Sequence, residues 1–184
     1  MARQKHRLRG FWGYGTGALS MFLSSFSIAL LALLVLVQPA PWYAPQYAIP
    51  LLGMLLGNTM TGVAVALDNL TRQTLEKRHE IEARLALGQA ASEAIGDIRR
   101  DAQRTGLIPI VNAMTTARNV SLPGMMTGQI LAGSPPMEAA KYQLLIQFLI
   151  AAGTGLGSMA AVLLGSHRLF DPRSRLRRDR LRAC

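Results

Sequence analysis

Two groups of residues in this chain have types and spacings that could do chemistry, and in both the chemistry is binding. The first lies in the charged segment from Asp68 to Arg104, whose centre reads EARLALGQAASEAIGDI from Glu82 to Ile98. The pair Glu82-Ala83 is followed by Gly88, and Ile98 comes ten residues further on. Ala83, Leu85, Ala86, Leu87, Ala90, Ala91, Ala94 and Ile95 recur at helical spacing and predict an apolar stripe on an amphipathic helix. Gly88 has no Cβ, so it allows either a close contact or a junction between two short helices. Such an element can insert into a groove on a soluble partner; the plainer alternative is a solvated helix between two membrane spans. The second group is Asn112, Ser121, Pro123, Gly124, Met125, Met126 and Gln129, on an apolar stretch broken by Pro and Gly. It offers oxygen donors and soft thioether sulfur to a passing ion, although a Met in an apolar helix is more often a packing residue.

Bond-making chemistry finds no footing. His6, His79 and His167 all sit in polar flanks without metal-ligand spacing, and the lone Cys184 can form no internal disulfide. No Gly-rich loop ends in Gly-Lys-Ser/Thr, so the chain has no such loop for hydrolysing ATP. No carboxylates pair in an apolar setting, and no nucleophile stands beside a base. The expectation is a non-enzyme that binds no cofactor itself. The expected spans hold no Cys, His or carboxylate, so a weak, transient pathway is expected there and not a tight metal site.

The elements that must position these groups are membrane helices. Half of the 184 residues are hydrophobic, yet the formal net charge is +10, so charge and apolarity must be segregated along the chain. Residues 18–38 carry no charge and, at 1.5 Å per residue, span about 30 Å, the thickness of the hydrocarbon core. A cleavable signal peptide is the competing reading, but the uncharged run is long for one. The stretch 39–48 holds three Pro with Trp42, Tyr43 and Tyr47, which suit a turn at headgroup level. Residues 48–67 make a second span, where Gly53, Gly57 and Gly62 would let a neighbouring helix approach. Asn58, Thr59 and Thr61 at mid-depth should face protein or a pathway. Residues 106–133 would form about 42 Å of straight helix and include Pro109, Arg118, Asn119, Pro123 and Gly124. A broken span is expected there, its freed backbone groups facing protein or a cavity. Residues 142–165 make the last span, with Gly153, Gly155 and Gly157 as a packing face, and the basic tail 166–184 is too polar for a core. The fold class is therefore all-α: polytopic integral membrane helices, about four spans, with a helical cytoplasmic coupling loop at 68–105, in one domain over residues 1–184.

Charge fixes the orientation. Of twenty Lys and Arg, four precede the first span, seven lie in the central loop and seven in the tail. The positive-inside rule then places both termini and the loop in the cytoplasm of a multi-pass protein of the cell (inner) membrane. Lipid, not nucleic acid, is the partner of these basic flanks.

Three stretches taken together carry a family likeness: IPLLGMLLGN (Ile49 to Asn58), EARLALG (Glu82 to Gly88) and above all SLPGMMTGQILAG (Ser121 to Gly133), the last followed by AAKYQ (Ala139 to Gln143). The chain resembles the FetB/UPF0014 family of ABC-transporter permeases, bacterial iron-export permeases with plant relatives linked to aluminium tolerance. The likeness covers roughly residues 45–170. Its central loop is similar to the cytoplasmic loop by which such permeases dock onto their ATPases. The resemblance implies a homodimeric permease subunit that exports a metal ion, iron, with a separate ABC ATPase subunit using the ATP. It implies an ATPase-coupling role for Glu82, Ala83, Gly88 and Ile98. It also implies that this chain lacks N-terminal spans that family members carry before the segment corresponding to residues 18–38, and Arg118 and Asn119 depart from the small or apolar residues usual there. Two other readings fit the residues: a non-transporting assembly protein or truncated remnant, and an ABC permease for another substrate. The topology is testable by reporter fusions, which should read outside after Ala44 and Pro136 and inside after Glu80 and Arg175; an external signal at Glu80 would overturn the orientation.

Overall fold

Leu51, Leu55, Thr59, Gly62, Ala66, Leu70 and Thr74 follow one another at steps of three or four residues, and all are buried. That period places them on one side of a helix, and the computed structural model shows it as α2, a continuous helix over Pro45–Glu76. The structure describes residues 7–8, 11–37, 45–117, 124–131, 133–170 and 181–182. In chain order it runs β1 (Arg7–Leu8), α1 (Phe11–Leu31, continued by a wider π-helical stretch Ala32–Val37), α2, α3 (Arg78–Ala86), α4 (Ala91–Ala94), α5 (Gly96–Ala117), α6 (Gly124–Leu131), α7 (Pro136–Leu169) and β2 (Leu181–Arg182). The architecture is all-α, apart from the antiparallel pairing of the two-residue β1 and β2, with Arg7 opposite Arg182 and Leu8 opposite Leu181. α2 and α7 form the central pair; α1 and α5 pack on both, and α6 packs against α7.

Among the described residues three helices are long and apolar enough to cross a membrane: Gly17–Val35, Ile49–Glu76 and Pro136–Leu169. The second and third outrun the expected spans 48–67 and 142–165, because nothing in Asp68–Glu76 or Ser166–Leu169 breaks a helix once its buried face continues. The stretch 106–133 is divided between the second half of α5 and the short α6. Arg118, Asn119, Ser121 and Pro123, where the interruption is expected, lie outside the described residues.

The core has two apolar clusters with a waist between them. One joins Ala66, Leu70, Ile81, Ile95, Ile98, Ala102, Val162 and Leu169; the other joins Ala29, Leu33, Leu51, Leu55, Ile110, Ile146 and Ile150. Along α5 the buried row Ile98, Ala102, Gly106, Ile110 passes from the first to the second, with Gly106 at the change. Along α2 the change falls at Thr59 and Gly62, and along α7 between Gly153 and Ser158. Here the backbones nearly touch. A Cβ on Gly106 would stand 2.8 Å from the Ala66 Cβ, 3.1 Å from the Gly62 carbonyl oxygen and 3.3 Å from the Ser158 Cβ. One on Gly62 would overlap the Thr154 Cγ2, and one on Gly157 would come within 2.6 Å of the Thr59 Cγ2 and 2.8 Å of the Ser24 Oγ. Small residues drive helix association in a membrane by allowing this approach.

The expected packing face on α2 needs one correction. Gly53 and Gly57 have no atom within 4 Å of an added Cβ, so the close approach is made by Gly62 alone. Gly53 and Gly57 sit four residues apart and share the outward face of α2, whereas Gly62 is rotated onto the face that meets α5 and α7. Of the polar trio nearby, Thr59 is buried as expected, but Thr61 faces outward and its hydroxyl donates to the Gly57 carbonyl at 3.0 Å. Asn58 is half-buried and its side-chain amide donates to the Met54 carbonyl at 2.8 Å.

The waist is the most demanding part of this core, and substitution separates its glycines. Gly106→Ala should destabilise the detergent-solubilised protein by about 1–3 kcal/mol, since neither a backbone carbonyl nor a Cβ can yield cheaply. Gly53→Ala should instead be neutral or stabilise by about 0.5–1 kcal/mol, because it relieves helix entropy without a clash. Thermal unfolding of the two variants side by side checks this; equal losses would mean the crossing imposes no special constraint.

Candidate functional site

The charged segment between α2 and the apolar half of α5 is a folded elbow. Lys77 interrupts the helix for a single residue, with its N–H bonded to the Gln73 carbonyl and its carbonyl accepting from Ile81. α3 then runs to Ala86 and stops at Gly88, whose φ of +87° is open to glycine at little cost. The Gly88 N–H bonds to the Leu85 carbonyl at 3.0 Å and the Gln89 N–H to the Arg84 carbonyl at 3.2 Å. These two bonds make a Schellman cap, so Gly88 is the helix-ending glycine of α3. The same cap recurs at Gly133 (φ +91°) after α6, where Ser134 bonds to Gln129, and Pro135-Pro136 then starts α7.

The elbow is fastened from beneath and at its side. Ile81 of α3, Ala94 and Ile95 at the end of α4, and Ile98 and Ala102 of α5 are buried with Leu70 of α2 and with Val162 and Leu169 of α7. Arg84 closes the side. Its Nη2 donates to Glu80 Oε1 at 2.6 Å, and its Nη1 donates to Asp97 Oδ2 at 3.3 Å and to the Ala94 carbonyl at 3.5 Å. One guanidinium thus ties α3 to α4 and α5. Its side chain is 32% exposed, so each ion pair contributes about 1 kcal/mol or less; what the arrangement supplies is a fixed angle between the short helices.

The elbow does not carry the single apolar stripe that the spacing predicts. Gly88 turns the chain, and the two halves of the pattern part company: Ala94 and Ile95 go into the core, while Ala83, Ala86, Leu87 and Ala90 are exposed. Leu87, directly before the left-handed Gly88, is 84% exposed. Of the four residues singled out for coupling, Ala83 and Gly88 are on the outer surface, Glu82 is half-buried at its flank, and Ile98 is a core residue only 3% exposed. Leu87 and the Arg84 tie were not singled out from sequence. The Glu80–Arg84 spacing of four residues on a helix was the available signal for the tie; Leu87 is masked in sequence by being one apolar residue among many.

The second candidate group is spread over two elements. Asn112 is exposed near the end of α5, and Met126 and Gln129 are half-buried on α6. Gly124 opens α6 and Met125 follows it. Ser121 and Pro123 lie outside the described residues. Among the described residues no three His, Cys, Asp or Glu side chains come together as metal ligands.

Comparison with known proteins adds the lineage. The profile described as Uncharacterised protein family (UPF0014) matches residues 1–170. The chain belongs to the UPF0014 family. This UPF0014 chain is 44% identical over 145 residues to a UPF0014 membrane protein of Synechocystis, covering 79% of the chain and 56% of the relative. It is 35% identical over 134 residues to the probable iron export permease protein FetB of Escherichia coli, covering 73% and 52% respectively. It is 32% identical over 162 residues to the protein ALUMINUM SENSITIVE 3 of Arabidopsis thaliana, covering 88% and 57%. The chain spans about half the length of these curated relatives. No solved structure matches it. Family and apolar helices together make it a membrane protein.

The Arg84 tie generates its own test. Arg84→Ala should leave the membrane helices folded but loosen the elbow by about 1 kcal/mol. Chymotryptic cutting at the exposed Leu87 should then quicken roughly fivefold, the factor that 1 kcal/mol sets on an opening equilibrium. An unchanged cutting rate would show that Ile81 and Ile98 hold the elbow without Arg84.

Proposed function

We propose that this chain is the permease subunit of an ABC transporter that exports a metal ion, iron, from the cytoplasm, with ATP bound and hydrolysed by a separate ATPase subunit. In this reading two copies form the membrane unit, both termini and the elbow face the cytoplasm, and the membrane is the inner membrane. Support for the substrate comes from the relative named as a probable iron export permease. Support for the orientation comes from the eighteen basic residues of the flanks and loop.

The observation that carries the reading is Leu87. A large apolar side chain, 84% exposed, stands at the corner of the one long charged segment between the apolar helices. Ala83, Ala86 and Ala90 around it are small and exposed, so a partner's groove can close over the corner without meeting bulk. Burying Leu87 in such a groove stabilises the complex by about 1.5–3 kcal/mol. Because Ile81, Ala94, Ile95 and Ile98 seat the elbow on the ends of α2 and α7, force applied at the corner reaches the membrane helices through a packed core. Glu82 and Gly88 flank the contact and shape it, and Ile98 supports it from below. In the same reading Asn112, Ser121, Pro123, Gly124, Met125, Met126 and Gln129 line part of the pathway, their oxygen and thioether groups serving as transient donors to the ion.

Leu87→Asp tests the docking directly, because the side chain touches little within the chain and its loss should not disturb folding. Co-purification of the ATPase with the variant should fall at least about tenfold, the factor set by 1.4 kcal/mol of lost burial. ATPase stimulation should fall with it while membrane insertion and thermal stability stay as in the parent. A variant that still binds and stimulates the ATPase normally would remove the assignment.

A further inference from the structure

Five threonines on these helices, Thr61, Thr71, Thr74, Thr105 and Thr115, turn their hydroxyls back onto the carbonyl four residues earlier, at 2.7–3.0 Å. Two do not. Thr59 on α2 and Thr154 on α7 are 0% and 1% exposed, and their hydroxyls have no hydrogen-bond partner, although the carbonyls of Leu55 and Ile150 stand four residues earlier on their helices. Ser25 on α1 is also 0% exposed and unpartnered. Thr59 and Thr154 belong to the waist between the two apolar clusters, and Ser25 follows Ser24, which reaches the same level. The Thr59 Oγ1 lies 3.7 Å from where a Gly153 Cβ would be, and the Ser24 Oγ donates to the Gly153 carbonyl at 3.2 Å. Thr154 packs on Gly62. Hydroxyl-bearing residues of three helices thus gather at the level of Gly62, Gly153 and Gly157, where the Thr154 methyl lies against Gly62 and the Thr59 methyl and Ser24 hydroxyl against Gly157.

We propose that Ser25, Thr59 and Thr154 mark a polar lane between α1, α2 and α7, closed in this structure, that takes water and a small hydrated cation when the helices part. None of the three hydroxyls has a hydrogen-bond partner in the folded chain, so each has capacity to bind something that enters the waist. Hydroxyl oxygens can replace part of the hydration shell of a hard cation. With no carboxylate among the described residues of the waist, they cannot compensate a bare multivalent charge in an apolar surround, so the ion passes with most of its water and is not retained. What moves through the lane rests on the permease reading; the lane itself does not.

The test uses the full chain in membranes, with Cys184→Ser removing the only native thiol. Single cysteines are placed at Ser25, Thr59 and Thr154, at the buried apolar Leu55 and Ile150, and at the outward Phe26, and are reacted with a small cationic methanethiosulfonate reagent. Thiol modification requires water to reach and ionise the group, so the three lane positions should react at least about tenfold faster than the three comparators. Equal rates would overturn the lane. If a cysteine variant fails to reach the membrane, the isosteric double change Thr59→Val and Thr154→Val decides with ferrous ion as probe. Lost efflux with the ATPase still bound supports the lane, and unchanged efflux overturns it. Fast modification in a chain that recruits no ATPase would keep the lane and sink the permease reading; normal ATPase stimulation with an unreactive waist would do the reverse.

Discussion

Backbone-to-backbone contact at the waist is the constraint on which the other packing depends. Gly62 of α2 and Gly106 of α5 face each other so closely that a Cβ on Gly106 would stand 3.1 Å from the Gly62 carbonyl and 2.8 Å from the Ala66 Cβ. A glycine in a helix interior costs about 0.5–1 kcal/mol relative to alanine, and the close approach offsets this through dispersion and Cα–H···O contacts that longer side chains would prevent. Once the two helices touch, α7 can lie in their groove only with small residues facing in, which Thr154 and Ser158 supply, while Gly153 and Gly157 admit α1 and Thr59 of α2. The apolar core is then forced into two clusters, one seating the elbow and one at the far end of the spans.

The elbow owes its shape to three independent devices acting in a short length of chain. A Schellman cap at Gly88 stops α3, the buried Ile81, Ala94, Ile95 and Ile98 hold the short helices down, and Arg84 sets their angle through Glu80 and Asp97. None of these leaves Leu87 a place inside. Its exposure follows from the position of the cap: the residue before a left-handed glycine at an outer corner has no neighbour to cover it.

Much of this was legible from residue order. The apolar runs, the segregation of charge and the family likeness give the membrane class and the helical loop, and Gly88 could be read as a junction between short helices. The rotational phase of each helix was not legible. Gly53, Gly57 and Gly62 look equivalent in sequence, yet only Gly62 meets a neighbour, because phase is settled by which face α5 and α7 occupy. The same blindness explains the apolar stripe: Ala83 and Ala94 belong to one helical pattern on paper, and a single positive φ between them sends one outward and the other into the core. Ile98, given a coupling role by the family likeness, lies on α5 as a core residue. The hydroxyls at the waist were invisible as a set, since Ser25, Thr59 and Thr154 are far apart in the chain and ordinary one by one.

The unbroken length of α2 has a mechanical meaning. Its 32 residues make a rod of about 48 Å, and Gly62 divides it into arms of comparable length, about 21 Å to Glu76 and about 26 Å to Pro45. Leu51 and Leu55 pack in one apolar cluster and Ala66 and Leu70 in the other, so a tilt about Gly62 that shifts the Glu76 end by a given distance shifts the Pro45 end by a similar distance the opposite way. The contact that brings α2 and α5 closest together is thus also the natural pivot between the two ends of α2.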